Sequence, residues 1–302
     1  DLLTKRTPAG RVDTRQYDHD GNLTQFTDRR GQLSIFAYNE LHRLDRETYQ
    51  DSTVDRQYDP SGRLLNVVDT MGGAFSFTYD PIGRQLASTG PTGSVHYTRD
   101  ALGRVTSRQV IGQSPVTHTY DPVGNLLTAS SPQAAVAFTY DLRNQVATQT
   151  RSNNVSTAYS RDALGRVLSI VHARGTTALN TQIYTYDALG NRASSTSDIA
   201  QPLITQSAAS VVDNENRLLQ RSNVAYTYDA NGNRISETGP SGTTTYTWDS
   251  RNRLSTIDIA AVTTSFRYDY TNMMIAEVTS YGTSRNYVLD DITNVLLLAE
   301  SD

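Results

Sequence analysis

Cysteine is absent from the 302 residues, so no disulfide staples the fold and no thiol is available for chemistry. Lysine is nearly absent too: Lys5 stands alone, and every other basic side chain except histidine is an arginine. Arginine suits packed and planar contacts better than lysine does. A net charge of -4 and a pI near 5.7 leave no basic footprint for nucleic acid. No run approaches the roughly 18 apolar residues of a membrane-spanning helix, and no stretch sustains a helical period. Hydrophobic content is 37% and mean hydropathy -0.50, a poor composition for a thick, dry core. Tyrosine is plentiful, 18 against 6 Phe. A ring with a polar tip suits positions that are half packed and half wet.

Those tyrosines are periodic. In the stretch Tyr226 to Ile257, Tyr226, Tyr228 and Asp229 are answered twenty residues later by Tyr246, Trp248 and Asp249. Self-similarity at a fixed period signals a repeat architecture. The same anchor recurs as Asp18, Asp59, Asp80, Asp100, Asp121, Asp141, Asp162, Asp187, Asp213, Asp269 and Asp290, with Asn39 in one further place. Fourteen units, mostly at steps of 20–21 residues, fill 1–302 as a single array with no separate catalytic domain. A 25-residue step into Asp187 predicts a longer loop within His172 to Gln182. The steps of 26 and 16 around Asp213 together span two ordinary units with a shifted middle anchor. Beginning at Asp1 rather than Met, with no signal peptide, the sequence reads as an excerpt from a longer protein.

The anchors share their neighbours. Tyr17, Tyr58, Tyr79, Tyr120, Tyr140, Tyr186, Tyr228 and Tyr268 directly precede them, and Trp248 precedes Asp249. Phe77, Phe138, Tyr184 and Phe266 stand two residues earlier, on the same face of a strand. Intervening Thr78, Thr139, Thr185 and Thr227 face the other way. Three residues after the anchor come Gly21, Gly62, Gly83, Gly103, Gly124, Gly165, Gly190 and Gly232, or Asn144, Asn216, Asn252 and Asn272. Gly and Asn accept a left-handed backbone. Asp favours the start of a type I turn and Pro60, Pro81 and Pro122 its second position. Each unit is therefore a hairpin of two strands of about five to seven residues. In the last unit Asp291 to Asn294 predicts a bulge.

Fourteen hairpins make about 28 strands in an all-β, antiparallel meander roughly 130 Å along the sheet. So long an open sheet must curl, because twist accumulates. Tyr in every unit predicts a ladder of ring contacts between neighbouring hairpins.

The x-Y-D-x-x-G-R/N-L pattern over nearly the whole chain resembles the YD repeats of RHS proteins, which occur also in insecticidal Tc toxin cocoons and the teneurin shell. Tyr287-Val288-Leu289-Asp290 through Leu297-Leu298-Ala299-Glu300 resembles the segment leading toward the RHS core. The resemblance implies a curled, spiralling sheet that forms part of a hollow shell around a C-terminal toxin or equivalent internal domain. The sequence contains no aspartyl autocleavage motif and no toxin domain, so the catalysis known in the family is placed on no residue here.

The recurring Asp anchors invite a catalytic or metal reading, but their position favours turn-building. Asp at a turn start caps local N–H groups, which explains the recurring carboxylates structurally. Asp18-His19-Asp20-Gly21-Asn22 resembles the opening of a calcium loop but lacks the further ligands. His118 takes an aromatic's place and His42 a Gly/Asn place; no histidine pair has metal-ligand spacing. The arginines after the turns can stack on rings or pair with the Asp anchors. The reading is a non-enzymatic shell segment, secreted or at the cell surface, that encapsulates or presents a toxin or effector for export. No cofactor, metal, nucleic acid or membrane span is expected. Expected partners are further YD repeats or a capping domain, the cargo, and glycans or another copy at open sheet edges. The rival reading is an extracellular adhesion or carbohydrate-binding module.

Overall fold

Runs of alternating aromatic and Thr residues, closed by Asp-x-x-Gly or Asp-x-x-Asn, fold as successive antiparallel hairpins. The computed structural model describes residues 2–199, 210–290 and 295–301. Among them are twenty-nine strands, from Leu2–Arg6 to Val295–Ser301, and no helix. Two strands flank each anchor, and Leu2–Arg6 precedes the first pair. Nineteen strands belong to one sheet, and the ten from Ser210–Val212 onward form a second.

The anchor turns are built alike. At Asp59 the Gly62 amide donates to the Asp59 carbonyl at 2.9 Å, and the Asp59 amide to the Arg63 carbonyl at 2.9 Å. Gly62 has φ 87°, and Asn144, Asn252 and His42 take the equivalent place at 60°, 67° and 57°. Strand pairing shifts between Gln57 and Tyr58, and equivalently before Tyr79, Tyr140 and Trp248. A type I turn followed by a left-handed residue is the G1-bulge hairpin connection.

Two sequence expectations need correction. The extra length before Asp187 is not a loop: Val167–Arg174 and Thr177–Tyr186 are strands of 8 and 10 residues, joined by Gly175 and Thr176. Added residues there continued the backbone ladder, which satisfies their amides and carbonyls better than a free loop does. Nor is a ring-on-ring ladder of tyrosines what recurs among the described residues. Equivalent tyrosines lie two strands apart, about 10 Å, and the contact that recurs is a guanidinium on a ring. The bulge expected at Asp291 to Asn294 lies outside the described residues.

The chain divides into two compact units, Asp1–Val95 with Gln206–Asp302, and His96–Thr205. In the first, Val54, Val67 and Phe77 are buried against the partly buried Tyr49, Leu64, Phe75, Tyr79 and Tyr270. Asp13, Asp28, Asp69 and Asp269 are buried there as well. In the second, Tyr97, Val110 and Thr157 are buried, and Thr157 Oγ1 lies 3.0 Å from His172 Nδ1. The outward Thr positions pair across strands, Thr139 with Thr148 at 2.7 Å and Thr185 with Ser194 at 2.6 Å.

Candidate functional site

In several described units the anchor ties its own turn and, through the arginine after it, reaches the next unit. Asp59 Oδ1 accepts the Arg63 amide at 2.9 Å and Oδ2 accepts Arg63 Nε at 2.6 Å. The same guanidinium sits 5.1 Å over the Tyr79 ring and donates from Nη1 to the Asp80 carbonyl at 3.3 Å. Tyr79 Oη returns a bond to the Leu64 carbonyl at 2.8 Å. Arg104 with Tyr120, Arg166 with Tyr186 and Arg253 with Tyr268 repeat the stack. Hydrogen bonds from the Arg63 backbone hold the Asp59 carboxyl below its ordinary value, and the Arg217 side chain takes Asp213 down to about 2.

Substitutions preserve the connection. Where Asn replaces Arg, its Nδ2 serves the same oxygen, as in Asn233 to Asp229 and Asn125 to Asp121, both 2.8 Å. Trp248 Nε1 donates to the Arg234 carbonyl at 2.9 Å, and Arg161 Nη1 to the Val146 carbonyl at 2.7 Å, each standing in for a tyrosine hydroxyl. Asp18, in the loop resembling a calcium site's opening, accepts from the Asp20 and Asn22 amides and from Asn22 Nδ2.

Inside the first unit, anchor turns from the later repeats meet the early repeats along a polar seam. Arg11 Nη1 donates to the Asp229 and Ala230 carbonyls at 3.0 and 3.1 Å. Asn231 Oδ1 accepts the Arg29 amide at 3.0 Å, and its Nδ2 donates to Asp28 Oδ2 at 2.7 Å. The Ser250 amide donates to Asp51 Oδ2 at 2.8 Å. Arg251 Nη1 reaches Asp69 Oδ2 at 2.7 Å, with side-chain exposures of 3% and 0%. Burial pushes the Asp69 carboxyl up, but Arg251 and the Gly72 and Met71 amides outweigh it and hold it below its ordinary value. Tyr270 closes the seam edge-on against Phe75, with centroids 5.3 Å apart.

Beside this seam lies a cavity of about 400 Å³, within the range of small-molecule sites. Phe26, Phe36 and Tyr49 form aromatic walls, and Lys5, Arg15, Arg29 and Arg251 face two carboxylates, Asp13 and Asp28. Arg15 and Arg29 flank Asp13 at 2.5 and 3.4 Å. Burial, then the hydrogen bond to Glu47 Oε2, pushes the Tyr49 hydroxyl up, so it stays a neutral donor. The arrangement has hydrogen-bond donors, charge and stacking surface, the components of a binding site.

None of the anchors assigned from sequence lines this cavity. The residue type at the turn tips varies along the chain. Two residues after the anchor, Ile82, Leu102, Val123, Leu164 and Leu189 are apolar and 72–88% exposed. Glu215, Asn231, Arg251 and Thr271 take that place in the later repeats. Polar Asp20, Ser61 and Arg143 take the same place in other turns, so residue type alone does not mark the docked ones.

These features define an all-β array of linked hairpin repeats. Residues 132–300, more than half of the chain, match the teneurin YD-shell family, and residues 17–54, 58–95 and 79–110 match the RHS repeat. The chain belongs to the YD-shell family. Its fold is similar to a chain in the crystal structure of TcdB2-TccC3, with TM-score 0.54 and 15% identity over 97% of this chain and 24% of that one. A Tc holotoxin pore structure from Photorhabdus luminescens gives TM-score 0.51 and 15% identity over 99% of this chain and 23% of that one. The chain thus spans about a quarter of the chains it resembles. No curated protein sequence matches it.

Proposed function

We propose that this chain is a non-enzymatic segment of shell wall in a longer exported protein, enclosing or presenting a toxin or effector. The observation that carries the reading is the linkage of each repeat to the next. Asp, Arg and Tyr at the recurring positions are engaged with one another and with backbone, as in Asp59, Arg63 and Tyr79. The repeat's polar groups serve the wall. The likeness of fold to chains in Tc toxin assemblies supports the same reading.

The partners proposed are further YD repeats or a capping domain and an enclosed cargo, in a secreted or cell-surface setting. The test is limited proteolysis of the full-length gene product, with each fragment identified by mass spectrometry. Protection of an internal domain that is lost when a hairpin unit is deleted supports enclosure. Equal protease sensitivity of every domain, with and without the deletion, overturns it.

A further inference from the structure

We infer that the cavity beside the seam is a binding site for a small carboxylate-bearing ligand, gripped by Arg251. This goes beyond the shell reading and does not depend on it. Arg251 is 3% exposed and lines the cavity. Its Nη1 is committed to Asp69, while Nε and Nη2 are buried without an acceptor. Those two N–H groups share one in-plane edge of the guanidinium, the edge that takes a planar carboxylate through two parallel hydrogen bonds. The Tyr49 ring, with Arg251 Cζ 4.8 Å from its centroid, covers a face and leaves that edge unanswered. Buried donors without acceptors are costly and rare in folded proteins.

The rest of the lining agrees. Arg29 Nε also lacks an acceptor in bonding geometry, although Asp13 Oδ2 is 3.4 Å away. Four cations line the space against two carboxylates, in a chain that is acidic as a whole. Asp28 already accepts from Arg30 and Asn231, and Asp13 from Arg15, so neither carboxylate is left to repel an incoming anion unscreened. Phe26, Phe36 and Tyr49 supply apolar surface for the ligand's body. The carboxylate can belong to a free aromatic acid or to a sugar acid, and both place an anionic group beside a flat, partly apolar ring.

Calorimetry on the 302-residue chain tests this with phenylacetate, glucuronate, their neutral partners phenylacetamide and glucose, and a blocked glutamate tripeptide. The expected result is that one of the two acids binds at least about tenfold tighter than its neutral partner. Whichever acid binds tighter identifies the source. Arg251→Lys keeps the charge but removes the bidentate edge, and should weaken that acid about tenfold with the circular dichroism spectrum unchanged. Should this variant fail to fold, Phe36→Ala and the wild-type acid-to-neutral ratio decide: Phe36→Ala should weaken the tighter acid about tenfold, and wild-type affinity retained by it overturns the proposal. Equal binding of acid and neutral partner, no saturable binding up to about 10 mM, or tighter binding of the tripeptide than of either acid overturns the proposal.

Discussion

Arg251 and Asp69 lie 182 residues apart in sequence and meet in a 2.7 Å ion pair that is almost wholly withdrawn from water. Removing one charge leaves the other buried and unpaired, so Arg251→Met should cost about 3–5 kcal/mol. Arg251→Met combined with Asp69→Leu should lose less than the sum of the single changes, though Met71 and Gly72 then lose their shared acceptor. Urea denaturation of the four proteins in the cycle measures this. Strict additivity would show that the pair is not coupled.

Gly72 marks how closely the seam brings two backbones together. A Cβ added there would stand 2.5 Å from the Tyr268 carbonyl oxygen and 3.0 Å from Asp69 Oδ2. A backbone oxygen cannot swing aside as a flexible side chain can. Gly72→Ala should therefore destabilise the protein by about 1–3 kcal/mol. Gly21→Ala is the control for backbone strain alone, because nothing lies within 4 Å of its added Cβ and its φ is +84°. A thermal midpoint for Gly72→Ala equal to wild type would remove the close approach.

The hydroxyl of Tyr79 connects one hairpin to the previous one through the Leu64 carbonyl. Tyr79→Phe keeps the ring under Arg63 and removes the hydroxyl that makes this bond, for an expected loss of about 1 kcal/mol. Hydrogen exchange should show faster opening at Leu64 to Asp69 than at strands remote from the change. Uniform acceleration across the chain would contradict coupling through neighbouring units.

Acid should weaken the fold through its lowered carboxylates. Asp28, Asp51 and Asp69 all titrate below their ordinary value of 3.8. A depressed folded value stabilises above the unfolded one, so this stability is complete above about pH 5 and is lost as pH falls below 4. Asp269 runs the other way: burial raises it, and its Oδ2 has no partner. Its favourable contribution is present at low pH and fades as pH rises through the raised value. Asp269→Asn should therefore gain on wild type between about pH 3 and 7, whereas Asp69→Asn should lose ground. Parallel stability curves for all three proteins would refute the assignment.

The hairpin array was readable from sequence because its determinants are local. Asp59, Gly62 and Arg63 lie within five residues, and a turn has few other ways to satisfy such a run. The seam was not readable. Nothing near Arg251 names Asp69 as its partner, and the register between early and late repeats is set by packing. The guanidinium stacks were anticipated only as possibilities, since choosing between Asp and ring needed the spacing of strands. In the event one arginine makes both contacts.

Arg161 bears on how such proteins diverge. Its guanidinium reaches the Val146 carbonyl where a tyrosine hydroxyl does so elsewhere, and Trp248 manages the same with its indole nitrogen. At these two units another donor of sufficient reach takes the hydroxyl's place, whereas Val212 occupies the position with no side-chain donor at all. A lineage can exchange such synonyms one at a time without a structural intermediate that fails, which is consistent with a shared fold at 15% identity.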